Sequence, residues 1–479
     1  MTTAHRPHWL LPVAFVLVAI ASLAPIRSND YFWHLATGRW MVEHRALPLS
    51  DPFAVASSRE PWINDEWLFE LALYPLYALG GHAAVSLTLA VATAGLFAWL
   101  LRLAANEAGA LVALPLIVVS WYGAEAWLCE RPSTAGAICL VALLSVLLRS
   151  EGSARVAGTF AITVLWINIH PSALIAPAVV ALYEGGQALD RKRFGPLLRP
   201  WSATASTAAL FFNPYGLEGL IAPIRLTGLI AQFHNQEWAP SRPGEFPLFY
   251  ACAIGGLLLF ALGGRREWSR ALVFAFLTVL AFRFCRNQGL FFAAAPLLLS
   301  AAIPNGVSVR IRQLAAFASV AAFLAVLTNA YLAVGIDEGK FPVTAVARLR
   351  ATGLRGNIYN SYGTGGYLIW SFYPERRVVT DGRNELFVHY NAEHERALRD
   401  PVAWRALIRK YDLRLAVFDY HQPPVAVFDP RNGKAVRVPQ AVAYFPPRQW
   451  ALIGVDEVAM LFARRDAFRP EELAKLEVH

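Results

Sequence analysis

The sequence predicts a polytopic α-helical membrane protein of about 11 transmembrane helices, followed by a C-terminal extracytoplasmic α/β domain. Three observations carry that expectation. First, 56% of the 479 residues are hydrophobic and only 16% are charged, and the mean hydropathy is +0.40, a balance too apolar for an ordinary soluble chain. Second, 38 charged residues fall in 335–479, about 26% of that stretch, against 39 in 1–334, about 12%. Only the tail has the charge density of a water-facing domain. Third, apolar runs of near-spanning length recur along 1–334. The expected division is a transmembrane domain over 1–334, including an external loop at 27–66, and an α/β domain over 335–479.

The first run, 9–26, follows Arg6 and has Ser22 and Ala24 at cleavage-like spacing, but Pro25 disfavours cutting, so it is read as a first membrane helix. Further spans are expected at 82–104, 109–123, 134–149, 155–169, 172–186, 201–215, 245–263, 269–283, 287–303 and 313–334. Residues 67–81 are apolar but short and run directly into the next span, which predicts a helix lying on the outer surface. Cationic residues alternate with the spans: Arg6, Arg102, Arg149 and Arg155, Arg191 to Arg193 with Arg199, Arg265 to Arg270, and Arg310 with Arg312 all fall on one side. The positive-inside rule makes that side cytoplasmic and places the tail outside, in the periplasm of a cell with two membranes. The net charge of +9 is therefore read as topology, and nucleic acid is not an expected partner. In the tail, β-prone runs at 357–359, 367–372, 377–380, 415–418 and 457–462 alternate with helical stretches near 384–398 and 401–411. The four cysteines, Cys129, Cys139, Cys252 and Cys285, lie in the membrane half without metal-ligand spacing, so neither a zinc site nor a disulfide framework follows.

The outer face collects the polar and aromatic residues that are costly near a membrane and mark a site there. Asp30 lies just past the first helix. A carboxylate there suits a general base or a divalent-cation ligand, and equally a helix cap among interfacial aromatics. Asp65 and Glu66 begin the surface helix, where acids are favoured in any case. Arg131 precedes Pro132, and Arg283 and Arg286 flank Cys285 at an outer turn. The planar guanidinium fork matches a phosphate, while an ion pair with Glu130 or with lipid headgroups explains the same arginines. Trp166 and His170 are four apart on one helical face, consistent with a substrate contact or with a hydrogen-bonded cap. Glu237, beside Trp238, is a further acid on that side. Two tail segments, 361–367 and Asp381-Gly382-Arg383, read as tight turns.

Together the spans, the aspartate of the first external loop, the outer arginines and the α/β tail resemble the GT-C superfamily of polyprenyl-phosphate-dependent glycosyltransferases. The chain is also similar to a branch of bacterial multi-pass membrane proteins with an Asp-x-x-x-His-Leu-x-Thr-Gly-Arg loop, matched by Asp30, His34, Leu35, Thr37, Gly38 and Arg39. Their tails carry Gly-Gly-Tyr-Leu-x-Trp, here 365–370, and Asp-Gly-Arg, here 381–383. The resemblance implies a GT-C-like inner-membrane enzyme. It would move a hexosyl or pentosyl group from a polyprenyl-phosphate-linked donor to a glycan, lipid or protein acceptor, with Asp30 catalytic. Arg131 and Arg286 are then expected at the donor phosphate, with His34, Arg39, Glu66, His170, Glu237 and Arg283 as further substrate contacts. Two departures stand out: Asn29, not a second acid, precedes Asp30, and the Trp-Trp-Asp-Tyr-Gly signature of oligosaccharyltransferases is missing. No cofactor is demanded, and a divalent cation stays an open alternative. The competing classes are a glycolipid transporter or flippase, disfavoured by the few charges in the inner halves of the spans, and a non-catalytic scaffold for surface-polysaccharide assembly.

Overall fold

The computed structural model describes residues 10–57, 61–191, 201–230, 236–263, 267–304, 306–329, 332–428 and 435–478. Arg6, Lys192, Arg193, Arg199, Arg265 and Arg266, which carry part of the expected orientation, lie outside the described residues. The chain sorts into two compact units: Met1–Ile26 with Ile63–Phe69 and Leu79–Gly335, and Arg27–Trp62 with Glu70–Ala78 and Ile336–His479. Read from sequence, the loop 27–66 went with the spans; in the structure Arg27–Trp62 is part of the tail's unit instead. Its backbone hydrogen bonds are the reason. The Val55 N–H donates to the Val378 carbonyl at 2.9 Å and the Val378 N–H to the Phe53 carbonyl at 3.3 Å, and Arg377 donates to the Ala54 carbonyl at 2.6 Å.

The first unit is helical. A helix falls within each apolar stretch read from the sequence. Among the described residues five helical segments are long and apolar enough to cross a membrane: Trp67–Ala108, Ala110–Trp127, Pro132–Arg149, Pro171–Arg191 and Val309–Thr328. Trp201–Ala209 is shorter than the expected 201–215. The Asn213 amide ends that stretch as a turn by donating to the carbonyls of Leu210 and Gly216. Glu218–Ile230 is a helix where the sequence suggested external loop. Within Trp67–Ala108 the helix is broken at Gly80 and Gly81, the latter at φ 64°, ψ −158°, a conformation that only glycine adopts without strain. The break falls where the surface helix was expected to give way to a span.

Close helix approach in this unit depends on missing side chains. A Cβ on Gly186 would lie 2.3 Å from the backbone of Ser269, and one on Gly123 would lie 2.4 Å from the Phe292 ring. Helix Gln288–Leu299 is buried at every residue. One polar lock sits in this packing: Arg270 donates to both carboxylate oxygens of Glu107 at 2.7 Å, and Ser300 donates to the same carboxylate at 2.6 Å. A buried guanidinium satisfied in this way avoids the penalty of an unpaired charge.

The second unit is α/β. Strands β1 (Asn357–Asn360), β2 (Leu413–Asp419), β3 (Val425–Phe428), β4 (Ala435–Val438), β5 (Trp450–Val455) and β6 (Ala459–Arg464) form a four-stranded sheet of order β1-β2-β6-β5 and a separate β3-β4 pair. β1 runs parallel to β2, and the other pairings are antiparallel. Residues 367–372, expected as strand, belong to helix Gly365–Phe372. Gly365 to Ile369 and Phe372 are buried, continuous burial without the alternation of a half-exposed strand. Residues 377–380 form bridges through Val378, one to Ala54 and one to Ile358, in place of a full strand.

Candidate functional site

In the second unit Asp30 starts the helix Tyr31–His44, yet its side chain makes no capping hydrogen bond. The Trp33 indole N–H donates to Asp30 Oδ1 at 3.2 Å. Gly382 of the tail closes on the same oxygen: a Cβ there would lie 2.2 Å from Asp30 Oδ1 and 3.1 Å from Trp33 Nε1. Gly363 and Gly366 approach the same turn, with hypothetical Cβ atoms 3.1 Å from the Asn29 amide nitrogen and 2.7 Å from the Asn29 carbonyl. The glycine-rich stretch that read as tight turns thus serves close approach to the residues around Asp30. The Tyr362 hydroxyl donates to the Gly382 carbonyl at 3.2 Å and accepts from the Asn384 amide at 2.9 Å.

Asp381 and Arg383 of the Asp-Gly-Arg turn are buried. Arg383 donates to Asp381 at 2.8 and 2.5 Å and to Asp51 at 2.9 Å, and all three side chains are fully buried. Aromatic rings flank the guanidinium, with centroids at 4.6 Å for Trp62, 5.3 Å for Phe53 and 5.8 Å for Trp33. Burial pulls the Arg383 pKa down, but the two carboxylates more than offset it and hold the group charged.

His34 and Arg39 both serve this unit's packing. His34 Nδ1 lies 3.0 Å from Glu70 Oε1, with both side chains buried. Arg39 stacks on Trp370 at 4.5 Å and donates to the Tyr373 carbonyl at 3.3 Å. Gly38 lets its helix approach the surface helix, since a Cβ would lie 2.1 Å from the Glu70 carbonyl oxygen.

In the first unit, His170 caps the turn Pro171–Ile175: Nδ1 accepts from the Ser172 N–H at 3.1 Å and is 2.7 Å from the Ser172 hydroxyl, which accepts from the Trp166 indole at 3.0 Å. Nδ1 being an acceptor, the neutral ring carries its proton on Nε2, 3.6 Å from Glu66 Oε1. Burial, aided by the positive charge of Arg286, pushes the His170 pKa down to about 3, so the imidazole is neutral. Arg131 is engaged: it donates to both oxygens of Glu237 at 2.7 and 2.9 Å. Arg286 differs. It is half-buried and lies over the Trp238 ring at 4.5 Å, and among the described residues no carboxylate forms an ion pair with it. Arg283 is exposed and lies 5.5 Å from the Phe284 ring.

The structure therefore groups Asp30, His34 and Arg39 in one unit and Glu66, Arg131, His170, Glu237, Arg283 and Arg286 in the other. Sequence reasoning missed Asp51 as a neighbour of the site and read Asp381-Gly382-Arg383 as a turn. The paired motifs in the first loop and the tail were the available signal. Among the described residues no cluster of three or more His, Cys, Asp or Glu side chains is arranged to hold a metal ion. An open apolar groove of about 450 Å³ in the first unit is lined by Trp67, Val164, Asn168, Phe212 and their neighbours.

No protein-family model and no curated protein matches the chain. Solved structures do. The Archaeoglobus fulgidus oligosaccharyltransferase in its apo form matches with a TM-score of 0.60 and 11% identity, over 90% of this chain and 75% of that one. AglB from the same organism, in complex with an inhibitory peptide and a dolichol-phosphate, matches with a TM-score of 0.56 and 11% identity, over 90% and 74%. ArnT from Cupriavidus metallidurans, in the apo state, matches with a TM-score of 0.58 and 13% identity, over 98% of both chains. The chain has the fold of these structures.

Proposed function

We propose that this membrane protein is a glycosyltransferase that moves a sugar from a polyprenyl-phosphate donor to a glycan, lipid or protein acceptor at the outer face of the inner membrane. One observation carries the reading. In a chain of GT-C fold, the first-loop carboxylate Asp30 accepts a hydrogen bond from the Trp33 indole and lies against Gly382. The neighbour AglB, which binds a dolichol-phosphate, supports the donor class. The N-terminus then lies in the cytoplasm and the 335–479 tail in the periplasm, as the cationic loops suggest.

In this mechanism Asp30 accepts the proton of the acceptor hydroxyl or amine as that group attacks the anomeric carbon. The bond from the anomeric carbon to the phosphate oxygen breaks, and the polyprenyl phosphate leaves with the electron pair. Arg286 stabilises the leaving phosphate. A guanidinium stacked on Trp238 is pre-oriented and presents its fork to phosphate oxygens. Arg131 is the weaker candidate for that role because Glu237 already occupies it on both oxygens. The neutral His170 places its Nε2 3.6 Å from Glu66 Oε1.

The test is Asp30→Asn. General-base catalysis contributes roughly 10²–10⁴-fold, so transfer should fall by that factor while the purified variant still retains undecaprenyl phosphate. Wild-type transfer rates in the variant would remove Asp30 from the mechanism.

A further inference from the structure

Gly382 belongs to the tail, 352 positions beyond Asp30 in the sequence, yet a Cβ in its place would lie 2.2 Å from Asp30 Oδ1, so that any side chain there must displace the carboxylate. Its φ is not in the left-handed region, so backbone freedom is not the reason for a glycine there. Close approach is the reason: the contacts that exclude a Cβ are the carboxylate oxygen of Asp30 and the indole nitrogen that donates to it. The position of Gly382 is in turn fixed from two directions. Arg383, the next residue, is anchored in the buried ion cluster with Asp381 and Asp51 and is enclosed by Trp62, Phe53 and Trp33. The Gly382 carbonyl is held by the Tyr362 hydroxyl and by the Asn384 amide at 3.3 Å. Trp33 contributes to both sides, with its ring against Arg383 and its N–H on Asp30.

From these contacts we infer that the Asp381-Gly382-Arg383 turn is a positioning element for the Asp30 carboxylate, so that the tail unit is part of the catalytic apparatus and not an appended domain. The inference rests on the reading of Asp30 as the base. Gly382 is the contacting residue. Arg383 acts through it and through Trp33, and neither is a catalytic residue itself. The geometry needed is tight, because a misplacement of about 1 Å costs up to about 10²-fold in rate. A Cβ at position 382 forces a displacement of about that size, since non-bonded heavy atoms settle near 3.5–4.0 Å.

Gly382→Ala in the full-length protein tests this. The donors supplied are one hexose and one pentose linked to undecaprenyl phosphate, with release of undecaprenyl phosphate as the readout. The expected result is a kcat about 100-fold lower with undecaprenyl phosphate binding unchanged within a factor of two. In an Asp30→Asn background Gly382→Ala should bring no further loss, because the group it positions is already gone. A merely structural role would lower the rate by the same factor in both backgrounds, and that outcome overturns the inference. An active Asp30→Asn protein would instead overturn the assignment of Asp30 and leave the contact geometry standing. Where neither donor turns over, the structure of the Gly382→Ala protein decides. The inference requires Asp30 Oδ1 to leave the Trp33 indole, and an unmoved carboxylate contradicts it.

Discussion

Replacing Arg383 by methionine removes the cation from a site that holds two carboxylates, and the structure sets the size of the effect. Asp51 and Asp381 are fully buried, each with a direct hydrogen bond from the guanidinium. Breaking a buried pair by deleting one partner costs about 3–5 kcal/mol, because the remaining charge is desolvated without compensation. The three flanking rings add cation–π contacts of about 0.5–2 kcal/mol each, part of which methionine replaces by packing. For a unit of this size roughly 2–4 °C of melting temperature accompanies each kcal/mol, so the midpoint should fall by roughly 6–20 °C. The pH dependence has a definite sign. Burial raises the Asp381 pKa and the Arg383 guanidinium lowers it; without that guanidinium the raising influence of burial is opposed only by the backbone N–H of residue 383. A group with a raised folded-state pKa contributes stability below its unfolded value near 4 and loses it as pH rises through the folded value. The variant's deficit should therefore be largest at pH 8 and shrink towards pH 5. Tryptophan fluorescence of the detergent-solubilised full-length protein, heated at both pH values, measures this. A midpoint within about 2 °C of wild type at pH 8, or a deficit that grows on acidification, would refute the reasoning.

Three further outcomes follow from the same geometry. Asp30→Asn should lose transfer by roughly 10²–10⁴-fold yet keep undecaprenyl phosphate, read by product release and by lipid retention. Gly382→Ala should reduce kcat about 100-fold only while Asp30 is present, read in the double variant. Gly81→Ala, at φ 64° and ψ −158°, should destabilise the break between surface helix and span by about 1–3 kcal/mol, read as a lower melting temperature.

The membrane half was legible because hydrocarbon leaves few options: long apolar runs become helices. Glu218–Ile230 was hidden because Pro223 and the flanking Asn213-Pro214 turn look like loop punctuation. Helix Gly365–Phe372 was misread because an aromatic, β-prone composition overrode the burial pattern, which only the fold reveals. Around the candidate site, Asp30 stood out as a carboxylate in an aromatic loop, but what surrounds it did not. Asp51 and Arg383 are 332 positions apart, and no local pattern joins them. The stacking of Arg39 on Trp370 was hidden for the same reason, since the two are equally remote in sequence. In Arg131 and Arg286 the sequence offered two equivalent arginines, and the structure separates them by their partners, a bidentate carboxylate for one and an indole face for the other.

Native mass spectrometry of gently purified protein, wild type beside Arg286→Ala, tests the donor assignment most directly. The account predicts a polyprenyl-phosphate-linked sugar bound to wild type and lost from the variant, with its mass identifying the sugar to supply in transfer assays. Wild-type protein that holds no such lipid even after undecaprenyl phosphate is added, or an Arg286→Ala variant that holds it as well as wild type does, would contradict the account.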